Sequence, residues 1–402
     1  MKYLIVVPDG AADRPEDWPE GRTPLKTAQL TNINDLAKRG EVGAVRTIPD
    51  GIPPGSDAAN LAVMGYNPET DLTGRSPLEA VSMGIDMSDT DVAFRTNLVT
   101  LKGNGSYENL IITDHSSGDI SNEEAEILIK EIDKKLGTED LKFYPGVSYR
   151  HALIMKNGRD DFNLTPPHDI LEKKIVDYLP QRENDLFITE LMEKSYEILK
   201  EHPVNQKRIQ KGLNPANSIW IWGQGKKPQL SSFSEKYGIT GTIVSAVDLI
   251  KGIGLCAGLN AVDVEGATGT LDTNYDGKVS AAIKAFKDGA DFVYIHVEAP
   301  DECSHQGNAE EKIRALELID SKVVKPVYDH LKTGKEEFRI LIVPDHRTPV
   351  AIRTHSDEPV PFVLYDSRRD TYKEGNSFSE ESGLSGKYFE RGSSLADYLF
   401  KS

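Results

Sequence analysis

An α/β fold with a mainly parallel sheet and helices on both faces is predicted by two features of the sequence. Three short runs, YLIVVPD (3–9), DFVYIHVEAPD (291–301) and FRILIVPDH (338–346), are almost continuously apolar and end in acids or histidine. Runs of this kind are strands buried on both faces. The second feature is apolar residues at three- and four-residue spacing in SNEEAEILIKEIDKKLG (121–137), NDLFITELMEKSYEILKEH (184–202) and EEKIRALELIDSKVVKPVYDHL (310–331). That is the period of helices packed on such a sheet.

The first run is too short for a signal-peptide core and leads straight into Asp9-Gly10, so it reads as the opening strand. PPGSDAANLAVMGY (53–66) follows as a rigid Pro53-Pro54-Gly55 turn and a short helix ending near Gly65, with Ser56 at the N-cap position. The middle of the chain has its own pieces, TNLVTL, SYRHALIM, TPPHD and SIWIWGQGKK, with no repeat or low-complexity tract. DTNYDGKVSAAI (272–283) opens like a calcium loop but carries Ile283 where a bidentate glutamate belongs, and reads as a turn. GIGLCAG (252–258) lacks the spacing of a dinucleotide loop and no GxxxxGK[ST] occurs, so no nucleotide is expected.

A chain of 402 residues exceeds what one hydrophobic core usually supports. The polar ends of the strand runs lie near both ends of the sequence. The expected division is therefore a discontinuous core of residues 1–85 and 235–402, with 86–234 as an inserted α/β domain. Ligands of an open parallel sheet gather at the carboxyl ends of its strands.

The balance of 64 acidic against 47 basic residues gives a net charge of −17, which argues against nucleic acid or an anionic membrane as partner. A small anion remains compatible with a local basic cluster. The two cysteines, Cys256 and Cys303, cannot build a disulfide framework or a thiolate zinc site. No window reaches the length of a membrane span, and a cytoplasmic location is expected.

The chemistry concentrates at the strand ends. In PDECSHQG (300–307), Asp301 and His305 are four apart and share a helix face. VPDHRTP supplies Asp345 and His346, RTHSDEP supplies His355, and Asp9 ends the first strand. Singly each is an ordinary turn or core residue; as a set they point to a metal or catalytic site. Mixed carboxylate and imidazole donors suit Mn, Zn or Mg, and the three imidazoles favour Mn or Zn. Six donors exceed the need of one catalytic ion and divide between two, the arrangement of phosphoryl or sulfuryl transfer. If they converge, Ser56 is both helix cap and nucleophile, because a cation can stabilise its alkoxide without a neighbouring base.

Asp9, the serine of PPGSDAANLAVMGY, PDECSH, VPDH and the late RTH resemble the alkaline phosphatase superfamily. TGRSPLEA (73–80), FRTNLVTL, TDHSSGDIS, SYRHALIM, TPPHDI, IWIWGQG and AVDLIKGIG extend the likeness to cofactor-independent phosphoglycerate mutases of the archaeal type. That resemblance implies an alkaline-phosphatase-like core with a lid domain. It implies two divalent ions, Mn2+ first with Zn2+, Co2+ or Mg2+ as alternatives, and no requirement for 2,3-bisphosphoglycerate. Asp9, Ser56, Asp345 and His346 would surround one ion; Asp301, His305 and His355 would hold the other. Ser56 would carry the phosphoryl group between the 3- and 2-positions of glycerate. His115, Arg150, His168, Asp169 and Lys251 would grip the phosphorylated carboxylate substrate, with Arg75, Arg95 and Lys226 behind them. Asp169 and Asp160 are the candidates for a general base. The bacterial branch of these mutases has an arginine-rich segment where this chain reads IWIWGQGKK, so lid contacts do not transfer from it. A metal-dependent phosphatase, another phosphomutase, or a non-catalytic metal-stabilised binding protein are the alternative readings. The sequence leaves the oligomeric state open.

Overall fold

In the computed structural model, which describes residues 1–369 and 371–401, the three apolar runs become adjacent parallel strands. The described strands, in chain order, are β1 (Lys2–Pro8), β2 (Glu41–Val45), β3 (Val92–Lys102), β4 (Ile111–Asp114), β5 (Leu141–Val147), β6 (Arg150–Met155) and β7 (Lys173–Lys174). They continue with β8 (Ser218–Lys226), β9 (Gly241–Val244), β10 (Asn260–Val262), β11 (Phe292–Val297), β12 (Phe338–Ile342), β13 (Val360–Asp366) and β14 (Lys387–Phe389).

β1 lies between β11 and β12, with Val6 opposite both Ile295 and Ile342. Successive residues of a strand point to opposite faces. Leu4–Val7, Phe292–Ile295 and Ile340–Ile342 are all fully buried, so both faces of this central ribbon are covered. The sheet runs β10-β9-β11-β1-β12-β13-β2-β14, and β13 is antiparallel to both its neighbours. The carboxyl ends of β9, β11, β1 and β12 therefore lie along one edge, where Ser245, Asp9, Asp345 and the helix Ala299–His305 follow.

The chain divides into two compact units, Met1–Leu72 with Gln229–Ser402, and Thr73–Pro228. The second unit starts and ends before the expected 86 and 234. The helix Ser76–Ser82 joins it because Ala80, Ile85 and Met87 pack on Ala93, Ala152 and Ile154. Its sheet is antiparallel throughout, in the order β5-β6-β3-β4-β7 with β8 also paired to β3. The helices Asn122–Leu136 and Leu186–Leu199 close its core, Leu128, Ile132, Ile188 and Met192 sharing one cluster with Phe94, Leu98, Leu153 and Ile221.

The helix expected over 310–331 is present but interrupted. A π-helical segment, Asp320–Val324, separates Ala309–Ile319 from Lys325–Thr333. Pro326, the second residue of the last segment, lacks an N–H and cannot continue the ordinary ladder.

Candidate metal centre

β1 ends in a turn at Gly10, whose φ is +60°. A Cβ there would lie 2.5 Å from Thr348 Oγ1 and 2.6 Å from Asp301 Oδ1, so only glycine lets the loops after β1, β11 and β12 approach this closely. The amides of Gly10 and His346 donate to Asp345 Oδ1 at 3.1 and 3.0 Å. Asn60 Nδ2 donates to the other oxygen, Oδ2, at 2.8 Å, and the Tyr294 hydroxyl donates to Asn60 Oδ1 at 2.5 Å.

Ser56 is not the cap expected of it. Gly55 takes the N-cap position in an extended conformation, and Ser56 is the first helical residue, with no side-chain cap bond. Gly and Ser are both accepted N-caps, so composition alone leaves the start uncertain by one residue. The Ser56 hydroxyl instead lies 3.1 Å from His346 Nε2.

Two groups of donors converge. In the first, donor atoms of Asp9, Asp345 and His346 lie within 4.8 Å of one another, and His346 Nε2 is 3.5 Å from both Asp9 Oδ1 and Asp345 Oδ2. In the second, Asp301, His346 and His355 meet the same limit. His305 joins it, 3.1 Å from Asp301 Oδ2 and 3.0 Å from His355 Nε2. The rings of His346 and His355 are 4.0 Å apart, so the two groups are contiguous. His305 Nδ1 donates to the Arg353 carbonyl at 2.9 Å, which leaves Nε2 to face Asp301 and His355.

The electrostatics fit cations. Burial, then the carboxylates of Asp345, Asp301 and Glu298, push Asp9 well above the usual carboxylate range. Its Oδ1 is buried with no hydrogen-bond partner. A buried carboxylate oxygen without a donor, amid other carboxylates, is costly unless a positive charge answers it. Burial also pushes Asp301 up, but hydrogen bonds from His305 and His355 outweigh it and hold it well below the usual range. Asp301 in turn raises His305 to about 9, a proton that a bound cation would replace. Burial lowers His346.

Sequence reading missed the residues behind these donors. The Ser245 hydroxyl accepts the Val247 amide at 3.0 Å, which leaves its own proton free for His296 Nδ1 at 3.2 Å. His296 then carries its hydrogen on Nε2 and donates it to Asp9 Oδ2 at 2.9 Å, leaving Oδ1 to the cluster. Burial lowers His296 to about 4 and keeps the ring neutral. Its signal was a single imidazole inside the apolar run DFVYIHVEAPD; that of Asn60 was its place one helical turn after Ser56.

The remaining expected residues separate. In the middle unit, the His115 ring meets Tyr149 at 5.7 Å and His168 at 6.2 Å, and His168 meets Trp222 at 5.4 Å. The Arg95 guanidinium lies 5.0 Å over Trp222 and that of Arg150 lies 5.5 Å over Tyr149, which makes a cationic and aromatic patch. Arg95 is also paired with Glu79. Asp169 lies 3.7 Å from His168, and Lys226 lies 3.9 Å from Asp160. Arg75 is exposed just before the helix Ser76–Ser82. Lys251, in the other unit, is taken up by Asp248 and Asp263, each at 2.8 Å. Tyr149 and Trp222 were not foreseen as platforms; Trp222 differs from buried Trp220 only by its place two residues on in β8, half-buried where Trp220 is not.

The family model of 2,3-bisphosphoglycerate-independent phosphoglycerate mutase matches residues 37–205. The protein of that name from Methanosarcina barkeri is 49% identical over 96% of this chain and 96% of its own length. A probable 2,3-bisphosphoglycerate-independent phosphoglycerate mutase from Geobacter sulfurreducens is 47% identical, again over 96% of each. Among solved structures, a cofactor-independent phosphoglycerate mutase from Thermoplasma acidophilum covers 100% of this chain and 99% of its own, at 27% identity and a TM-score of 0.66.

Proposed function

The chain belongs to the family of 2,3-bisphosphoglycerate-independent phosphoglycerate mutases, and on that premise we propose that it interconverts 3-phosphoglycerate and 2-phosphoglycerate through a phosphoserine at Ser56. The observation that carries this reading is the Ser56 hydroxyl 3.1 Å from His346 Nε2, beside both groups of donors. Asp9, Ser56, Asp345 and His346 would hold one divalent ion and Asp301, His305 and His355 the other, with Mn2+ the first choice and Zn2+, Co2+ or Mg2+ compatible with the donors. Bound there, the ions supply positive charge for the developing oxyanions.

The chain's own groups do the rest. Ser56 opens an eight-residue helix, Ser56–Val63, whose first amides add positive potential for a phosphoryl group. Ser56 Oγ attacks phosphorus and gives up its proton, the bond to the 3-oxygen of glycerate breaks, and that oxygen takes up a proton to become a hydroxyl. The 2-hydroxyl then gives up its proton and attacks the phosphoserine, the bond from phosphorus to Ser56 Oγ breaks, and Ser56 is reprotonated, so no bisphosphorylated cofactor is consumed. His115, His168, Arg95 and Arg150 of the middle unit are the candidates for gripping the anionic ends of the substrate. Lys251 has a weaker claim, since its ammonium is already shared by two carboxylates. Two cysteines in 402 residues, Cys256 and Cys303, suit a reducing compartment such as the cytoplasm.

The test is a mutase assay without added bisphosphoglycerate on metal-loaded protein. Ser56→Ala is expected to lower turnover by several orders of magnitude. Near-normal turnover in that variant would reduce Ser56 to the first residue of a helix, and release of inorganic phosphate in place of 2-phosphoglycerate would make the protein a phosphatase.

A further inference from the structure

We propose that Thr348 is a positioning residue whose single hydroxyl ties the two groups of donors together. The inference rests on the two-ion reading given above. Thr348 is fully buried two residues after His346. Its Oγ1 lies 2.5 Å from Asp301 Oδ1 and 3.1 Å from His346 Nδ1.

The direction of these bonds follows from the inventory of protons. An ionised carboxylate only accepts, so the one hydroxyl proton points to Asp301. Oγ1 can then meet His346 Nδ1 only as an acceptor, which puts the ring hydrogen on Nδ1. Neutral His346 therefore presents Nε2 as a lone pair, and that is the atom facing Ser56 Oγ, Asp9 Oδ1 and Asp345 Oδ2. The opposite tautomer would require Thr348 to donate twice from one proton. One hydroxyl thus orients a carboxylate of one group and selects the ligating nitrogen of the other.

The hydroxyl is held in place from outside both groups. The Thr348 amide donates to the Ala12 carbonyl at 3.2 Å, and Lys312 Nζ donates to the Thr348 carbonyl at 2.9 Å. Gly10 closes the remaining space, since a Cβ there would overlap Oγ1. Outer partners that fix the tautomer of a ligating histidine typically account for a 10- to 100-fold change in metal affinity.

The test compares the full-length wild type with Thr348→Val, which keeps the shape and loses the proton, and Thr348→Ser, which keeps the proton. Nitrogen NMR of the metal-free protein at about pH 8 reads the His346 tautomer. Calorimetric titration with Mn2+ reads affinity at both groups. Wild type and Thr348→Ser are expected to show His346 protonated on Nδ1 and to bind two ions with similar affinity. Thr348→Val is expected to populate the Nε2–H form and to bind both ions about 10- to 100-fold more weakly. A wild-type His346 with its hydrogen on Nε2 overturns the proposal even if Thr348→Val fails to fold. So does a folded Thr348→Val with unchanged affinity at either group. A wild type that binds two Mn2+ but does not interconvert phosphoglycerates removes the functional reading while leaving the tautomer to decide the role of Thr348.

Discussion

The two oxygens of Asp9 have different tasks, and the difference is set by a residue of the neighbouring strand β11, 287 positions away in the chain. Oδ2 takes the hydrogen of His296 at 2.9 Å, and Oδ1 is left without a donor. Replacing His296 by Leu removes that donor and leaves both carboxylate oxygens to the cluster, with the charge of Asp9 uncompensated inside the protein. The expected outcome is about 10- to 100-fold weaker Mn2+ binding at the Asp9 group, with His296→Gln recovering part of it through its side-chain amide. Mn2+ titrations of the three proteins check this; equal affinities would make His296 a core residue and nothing more. The contrast with Asp9, Asp301 and Asp345 shows what a sequence displays at this scale. An acid at the end of an apolar strand has no place in a core and is conspicuous. A histidine within the strand reads as packing, because its purpose depends on Ser245 and Asp9, which are distant in the chain. Ser56 is visible as a special residue at a helix start, but the structure gives the cap position to Gly55, one residue earlier.

At the level of elements, β1, β11 and β12 were legible because strands buried on both faces need unbroken apolar runs. The antiparallel sheet of the middle unit was not, since TNLVTL and SYRHALIM fix neither partner nor direction. That sheet carries a pH-sensitive weakness. On β6, His151 is buried opposite Thr96 of β3, and its Nδ1 accepts the Gly146 amide at 3.0 Å. Burial lowers His151 to about 3 from an ordinary 6.5. The unfolded chain therefore takes up this proton first. The contribution of a neutral His151 is fully present above pH ~6.5 and declines by roughly 1.4 kcal/mol per pH unit below it, levelling near pH ~3. His151→Asn keeps an acceptor for Gly146 and cannot titrate. It is expected to be less stable at neutral pH, where a smaller side chain underfills the site, but to lose stability less steeply on acidification. Urea midpoints between pH ~7 and pH ~4 measure the two slopes. Parallel slopes would assign the acid sensitivity to other groups.

For the whole molecule, the sequence showed that chemistry-bearing residues lie towards both ends of the chain, and the contact pattern joins those ends in one unit. The boundaries were less visible because the helix Ser76–Ser82 is tied to the middle unit by packing that TGRSPLEA does not advertise. Where the chain leaves and re-enters the unit that holds both groups of donors, the Tyr66 hydroxyl bonds the Ser231 carbonyl at 2.7 Å. Within the middle unit, the Thr73 hydroxyl bonds the Lys226 carbonyl at 2.5 Å, so its two ends also run side by side. Each unit has its own buried core. A short Gly/Ser linker in place of Thr73–Pro228 closes a small gap at modest entropic cost, because that cost grows only slowly with loop length. The shortened protein is expected to fold and to bind two Mn2+, since every proposed ligand lies in Met1–Leu72 or Gln229–Ser402. It lacks the cationic patch around His115 and His168 that is proposed to grip the substrate. A phosphoserine formed at Ser56 would then be open to hydrolysis, and glycerate would have no grip to keep it for the return transfer. Incubated with 3-phosphoglycerate and followed by phosphorus NMR, the shortened protein should release inorganic phosphate slowly and form no 2-phosphoglycerate. Formation of 2-phosphoglycerate at a rate near that of the full chain would show that residues 73–228 are dispensable for the transfer, and would place the recognition of glycerate among the residues around the two clusters.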